Sequence, residues 1–288
     1  MTGPAAGDGT DRLLATLDDL TAAGRTVGLW WRDDDLERPT PALDTLLEAL
    51  GEHGIAPALA AVAGRVDAQA VAALAGSPAR VFVHGWTHAN HAAAGARKSE
   101  FGPEREAGTR LAEIAEARRR LAAIAGERAL ACFVPPWNRI GDDLLARLGE
   151  TGIVALSGFA PAGRPAPAAG VPRLDTHVDL IDWRGDRLPL TATAAAAALA
   201  IRIRSRLSAE NHDSPVDGPL GILSHHRVTE AAAWRAWRPL LAALGGHPAV
   251  RWLDPAAALA AVGAAAGPPE RALSAPGPGP GNETRRMG

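Results

Sequence analysis

The chain has 288 residues, 47% of them hydrophobic and 22% charged, with a formal net charge of -2. That length suits one large α/β domain with a sizeable core, and the near-neutral charge, whose only basic run is Arg118, Arg119 and Arg120 among glutamates, argues against nucleic acid as a partner. Its single cysteine, Cys132, rules out an intramolecular disulfide, and the first residues carry neither the basic start nor the long apolar stretch of a secretory signal, so a cytoplasmic location is expected.

The predicted elements alternate along the chain. "VGLWWR" (27 to 32) reads as a first strand, followed by "TPALDTLLEALGEHG", a helix with Pro41 in its first turn and Gly54 at its end. "APALAAV" (56 to 62) and "RVFV" (80 to 83) read as the second and third strands. "PEREAGTRLAEIAEARRRLAAIAG" reads as a long helix with acid-to-base pairs four apart, such as Glu106 and Arg110. "LACFV" (130 to 134) and "IVALS" (153 to 157) come next, then a loop, "APAGRPAPAAGVP" (160 to 172), and "VDLIDW" (178 to 183). "TATAAAAALAIRIRSRL" is the most apolar long run, but arginines interrupt it well short of the roughly 20 residues of a membrane span, so no membrane segment is expected. "LGILS" (220 to 224) and a short "VRW" (250 to 252) complete the strands. Such alternation is the mark of βα units around a parallel sheet, and seven or eight of them predict a barrel over residues 1–266, followed by a disordered Pro- and Gly-rich tail over 267–288.

The polar residues gather at strand C-terminal ends, which in a βα barrel is the rim that carries active sites. "DDD" (Asp33, Asp34, Asp35) follows the first strand, "HGWTH" the third, "PPWN" the fourth and "SHH" the seventh. His84 and His88 are four apart, a spacing that on a helical turn puts two imidazoles on one face and suits one metal ion. Three consecutive carboxylates repel one another unless a cation or a shared proton compensates, so the aspartate run is the natural source of a third ligand. His91 reads as a supporting residue, a substrate contact or a surface residue before it reads as a ligand. Trp86, Trp137 and Trp183 read either as core residues or as surfaces for stacking against a sugar ring. Cys132, inside a strand, reads as an inert buried thiol.

In this order the motifs resemble those of the polysaccharide deacetylases, metal-dependent enzymes built on a distorted (β/α) barrel. Trp31 to Asp35 is similar to the family's Thr-Phe-Asp-Asp-Gly, with Thr40 and Pro41 following at the family spacing. His84-Gly85-Trp86-Thr87-His88 resembles His-Ser/Thr-x-x-His, with glycine for the hydroxyl residue. Val134-Pro135-Pro136-Trp137 resembles Arg-x-Pro-Tyr without its arginine. Asp179 to Trp183 resembles Asp-x-x-Asp-Trp, and Leu223-Ser224-His225 resembles Leu-x-His. The resemblance covers about residues 27 to 226.

It implies a distorted TIM-like barrel and a hydrolase that removes an acetyl group from an N-acylated sugar or related amide, a small molecule or an oligosaccharide. Asp34, His84 and His88 would hold a divalent ion, zinc for this donor set. Asp33 would be the general base, His225 the general acid and the Trp137 N–H the oxyanion donor. Pro136, Trp86, Asp179, Trp183 and His226 would contact substrate, with Asp35, Arg32, Arg139 and Asp182 in support. Arg32 or Arg139 would replace the arginine that in the family orients the base. A one-residue shift of register would make Asp35 the ligand. The competing reading is a carbohydrate-binding barrel without turnover, motivated by the absent arginine. The sequence carries no signal for an oligomeric state.

Overall fold

The structure, a computed structural model, describes residues 8–160, 170–209 and 218–265. Most of the loop expected at 160–172 and the whole tail at 267–288 lie outside them.

Eight strands form one parallel sheet: β1 (Val27–Leu36), β2 (Pro57–Ala61), β3 (Arg80–Val83), β4 (Ala129–Phe133), β5 (Ala155–Leu156), β6 (Thr176–Asp179), β7 (Leu220–Ser224) and β8 (Val250–Trp252). They run β5-β4-β3-β2-β1-β7-β6. Isolated parallel bridges Leu156 to Arg173 and Phe159 to Thr176 join the end of β5 to the start of β6, so the sheet curls into a seven-stranded barrel. β8 lies off this ring, paired with β1 from Val27 to Leu29 below the point where β7 takes over.

The helices are α1 (Asp8–Ala22), α2 (Pro41–Gly51), α3 (Ala68–Ala72), α4 (Ala107–Ala125), α5 (Asp142–Leu145), α6 (Ala192–Ala209), α7 (Ala231–Gly246) and α8 (Pro255–Ala265). Among the described residues none is long and apolar enough to cross a membrane. α2 begins where the sequence signals it. The Thr40 hydroxyl accepts from the Leu43 N–H at 3.1 Å, Pro41 fits the first turn, and Leu43, Leu46 and Leu50 fall on the buried face. In α4 the expected Glu106 to Arg110 pair is replaced. Glu106 caps the helix, accepting from the N–H groups of Gly108 and Thr109, while Arg110 is buried and reaches Asp143. α1, which the sequence pattern does not announce, packs on α6, with Arg204 donating to the Thr16 hydroxyl at 2.9 Å.

Two apolar layers follow from strand alternation. Trp30, Ala58, Ala60, Phe82, Cys132 and Val134 fill the barrel, and Ala258 of α8 joins them. Leu29, Trp31, Leu59, Ala61, Val81, Val83 and Phe133 face outward onto the helices. Every residue of β2 and β7 is buried, which is why these strands read as unbroken apolar runs. β6 starts earlier than expected and stops at Asp179. There the Asp179 carboxylate accepts from the Ile181 N–H, and Asp182 accepts from Arg184 and Gly185, so side chains take up backbone donors that a longer strand would use.

Candidate metal and catalytic site

All strands point one way, so the C-terminal ends of β1, β3, β4, β6 and β7 meet at one mouth. The aspartates do not follow β1; they lie within it. Along its first residues alternation holds, with Trp30 inside the barrel and Trp31 outside. Between Asp33 and Leu36 the pairing with β2 shifts, and Asp35 takes φ 75°, a left-handed conformation that is uncommon for a residue with a Cβ. The kink lets Asp34 and Asp35 both reach the mouth.

The carboxylate that meets the histidines is Asp35. Its Oδ1 stands 3.4 Å from His84 Nε2 and 3.5 Å from His88 Nε2, and one ligand atom from each of the three lies within 4.8 Å of the others. The expected set of Asp34, His84 and His88 therefore does not assemble as such, because the register shift and the left-handed turn at Asp35 bring that carboxylate to the histidines. Nor do the histidines share a helical turn. They sit on a loop bent by left-handed residues, Gly85 at φ 64° and His88 at φ 56°, which brings the two rings to 5.1 Å. His84 Nδ1 lies 2.9 Å from the Val134 carbonyl, a contact that as a donor bond leaves its Nε2 lone pair for the site. Burial opposes ionisation of Asp35, but its hydrogen bond to His84 and the charges of His84, His88 and His225 outweigh burial and hold its carboxyl well below the usual range. Burial, followed by the charge of His84, pushes His88 down.

Asp34 is buried and belongs to Arg32. The guanidinium Nε lies 2.9 Å from Asp34 Oδ1, and Nη2 donates to Oδ2 at 3.1 Å. Arg32 is itself fully buried, and its remaining donors go to Ser157 Oγ at 2.8 Å, the Gly158 carbonyl at 3.3 Å and Asn138 Oδ1 at 2.9 Å. Across the mouth, His225 Nε2 stands 4.0 Å from Asp34 Oδ2 and Nδ1 stands 3.9 Å from Asp179 Oδ1. Trp183 lies edge-on to His225 with centroids 5.0 Å apart, and its indole N–H donates to Asp179. Burial pushes the Asp179 carboxyl up. Trp137, at φ 55°, places its ring 4.3 Å from that of His88.

Asp33 and His226 leave the mouth together. Asp33 points outward from the barrel, fully buried, with Oδ1 2.5 Å from His226 Nδ1 and Oδ2 accepting from the Ser224 hydroxyl at 2.6 Å. His226 is 1% exposed. A base and a substrate contact were expected at these positions; strand alternation turns Asp33 away from the mouth, and His226, in the turn that follows β7, is buried against it. Arg139 donates to the Lys98 carbonyl and reaches no aspartate, Trp86 packs against the outer core, and His91 is exposed. Two participants carry no local sequence signal. Glu100, buried, accepts from the Trp86 and Thr87 N–H groups and the Thr87 hydroxyl, tying down the histidine loop, and Asn138 braces Arg32.

No protein-family model matches this sequence, and no curated protein matches it. Solved structures match it through their fold. A peptidoglycan N-acetylglucosamine deacetylase, Bc1960, superposes with a TM-score of 0.51 at 14% identity, over 81% of this chain and 88% of that one. A family 4 carbohydrate esterase from Streptomyces lividans gives 0.48 at 18% identity, over 80% and 91%. A family 4 acetyl xylan esterase from Clostridium thermocellum, solved with a cobalt ion, gives 0.46 at 16% identity, over 79% and 87%. The chain has the polysaccharide deacetylase fold.

Both departures from that family's motifs have a local physical reason in this fold. A Cβ at Gly85 would lie 2.2 Å from Glu100 Oε2 and 2.6 Å from Pro136 Cγ, so no hydroxyl residue fits there. Pro136, expected against substrate, is buried over this glycine. Val134, where the family has arginine, is buried inside the barrel, and the guanidinium beside the aspartate comes from β1 instead of β4.

Proposed function

We propose that this protein is a metal-dependent hydrolase that removes an acyl group, acetyl in the simplest case, from an N-acylated sugar or a related amide. The observation that carries this reading is the meeting of three parts at one barrel mouth: the Asp35, His84 and His88 cluster, the arginine-held Asp34, and His225.

One oxygen and two imidazole nitrogens make a donor set that suits zinc and leaves coordination positions open. The His84 contact to Val134, which frees Nε2 toward Asp35, fits such an ion. When bound, a divalent ion supplies positive charge that polarises the acyl carbonyl and acidifies a nearby water. Asp34 would serve as the base toward the attacking water, with Arg32 fixing the orientation of its carboxylate. The backbone N–H of Trp137 stabilises the oxyanion, in a turn held by the Asn138 N–H to Pro135 carbonyl bond at 2.8 Å. His225 protonates the departing amine, its far nitrogen facing Asp179. Trp183, 45% exposed, offers a face for a sugar ring.

A binding barrel without turnover was the competing reading because the third motif lacks its arginine. Arg32 removes that motive, since a guanidinium stands against the proposed base. Elemental analysis of protein purified without chelator, together with acetate release from a panel of acetylated sugars, tests the proposal. About one divalent ion per chain and metal-dependent release are expected; protein that takes up no ion at this cluster overturns it.

A further inference from the structure

A cavity of about 480 Å³ opens beside the mouth, within the size range of small-ligand pockets. It shares Asn138 and Gly158 with the hydrogen-bond partners of Arg32, which places it next to the mouth. Three arginines line it: Arg173 is bound to Asp175, and the other two are the half-buried Arg139 and the exposed Arg97. Among the described residues neither has a carboxylate within ion-pair distance. Arg139 spends one donor on the Lys98 carbonyl, and burial, followed by the charge of Arg97, pushes its pKa down. Lys98 itself stands 5.9 Å from the Trp137 ring centroid, and that ring lies 4.3 Å from the ring of His88. The acidic residues of the lining are differently placed. Asp175 is held by both Nε and Nη2 of Arg173, while Glu104 and Asp142 stand on the exposed rim.

Guanidinium groups set near one another, one of them partly desolvated, repel unless an anion lies between them, and their fork geometry matches carboxylate or phosphate oxygens. We infer that the substrate of this site carries an anionic oxygen group, carboxylate or phosphate, that docks in this cavity against Arg97 and Arg139. The inference rests on the deacetylase reading for where the acyl group sits, but the cavity and its arginines stand apart from the metal cluster. It narrows the substrate from any N-acylated sugar to an acidic one.

The test compares neutral N-acetylglucosamine with N-acetylmuramic acid, which carries a carboxylate, and N-acetylglucosamine phosphates. Binding is measured by calorimetry on the zinc-loaded protein, and deacetylation is measured in parallel. At least one acidic sugar binds tenfold or more tighter than the neutral one, and the arm that wins identifies the anion. Arg139→Gln lowers this preference by roughly tenfold, the scale of one lost charge-assisted bond. Arg97→Gln, at an exposed position where folding is not at stake, lowers it in the same direction. Equal binding of neutral and acidic sugars, or variants that weaken both alike, overturns the inference. Preferential binding of the acidic sugar without acetate release leaves this inference standing and sinks the deacetylase reading instead, so the two fail separately.

Discussion

Arg32 lies two residues before Asp34 on the same strand, and its guanidinium meets both oxygens of that carboxylate, at 2.9 Å and 3.1 Å. Alternation along β1 makes this possible, since residues two apart share a face and both enter the barrel. Removing one partner of a buried pair leaves an uncompensated charge, at a cost of about 3–5 kcal/mol. Arg32→Ala should therefore lower the melting temperature clearly. Arg32→Lys restores the charge without the fork that also reaches Asn138 and Ser157. It should recover part of the stability while kcat stays depressed more than KM changes. Thermal melts and steady-state kinetics on the two variants check this; wild-type kcat in Arg32→Ala would remove Arg32 from the orientation of the base.

The aspartate run separates into three environments, and three single variants should separate likewise. Asp35→Asn should empty the metal site, because among the described residues Asp35 is the carboxylate that joins His84 and His88. Asp34→Asn should keep the metal and lower turnover by roughly 10²-fold or more, the scale of lost general-base help. Zinc titration of the two proteins decides it: if Asp34→Asn empties the site and Asp35→Asn leaves it filled, the geometry at the end of β1 has been misread. His88→Ala should also lose most of the metal.

How far the sequence foretold this arrangement depended on the range of the interaction. "RVFV" and "LGILS" coincide with β3 and β7 because a strand buried on both faces is a continuous apolar run. The histidine pair, Asp179 and His225 stand at the mouth because their motifs lie at strand ends. The aspartate register was not foretold, because it turns on a bulge and on φ 75° at Asp35, a conformation that residue type does not encode. Arg32 was one of two candidates, and strand alternation now separates it from Arg139. Glu100 acts on a loop 13 residues away and Asn138 on a side chain 106 residues away, distances over which no periodicity speaks.

His225 faces Asp34 across the mouth but is not among the atoms that cluster around Asp35. His225→Ala should accordingly keep its metal while turnover falls by about 10²-fold or more. Metal content and kinetics measured on the same preparation test this. Loss of the ion would make His225 a ligand, and unchanged turnover would move the proton donor elsewhere.

Behind the site stands a second buried pair, Asp33 and His226. Burial pushes the His226 pKa down, but the charge of Asp33 and the hydrogen bond to it raise it by more, so the folded value lies above the ordinary 6.5. A group whose pKa is raised on folding contributes stability that is fully present below its unfolded pKa and is lost as pH rises through the folded one. Denaturation measured from pH 5 upward should show a loss of stability that begins above about pH 6.5 and levels off once His226 is neutral. The Ser224 hydroxyl, which accepts from the Trp31 indole at 2.8 Å, stays bonded to Asp33 throughout, so the pair weakens without the network dissolving. His226→Gln cannot titrate in this range and should flatten that slope while lowering stability at pH 6, where the charged pair is intact. Asp33→Asn should flatten it as well. If either variant keeps the wild-type slope, the pH dependence belongs to another group, and the Asp33 to His226 contact is a neutral hydrogen bond instead of an ion pair.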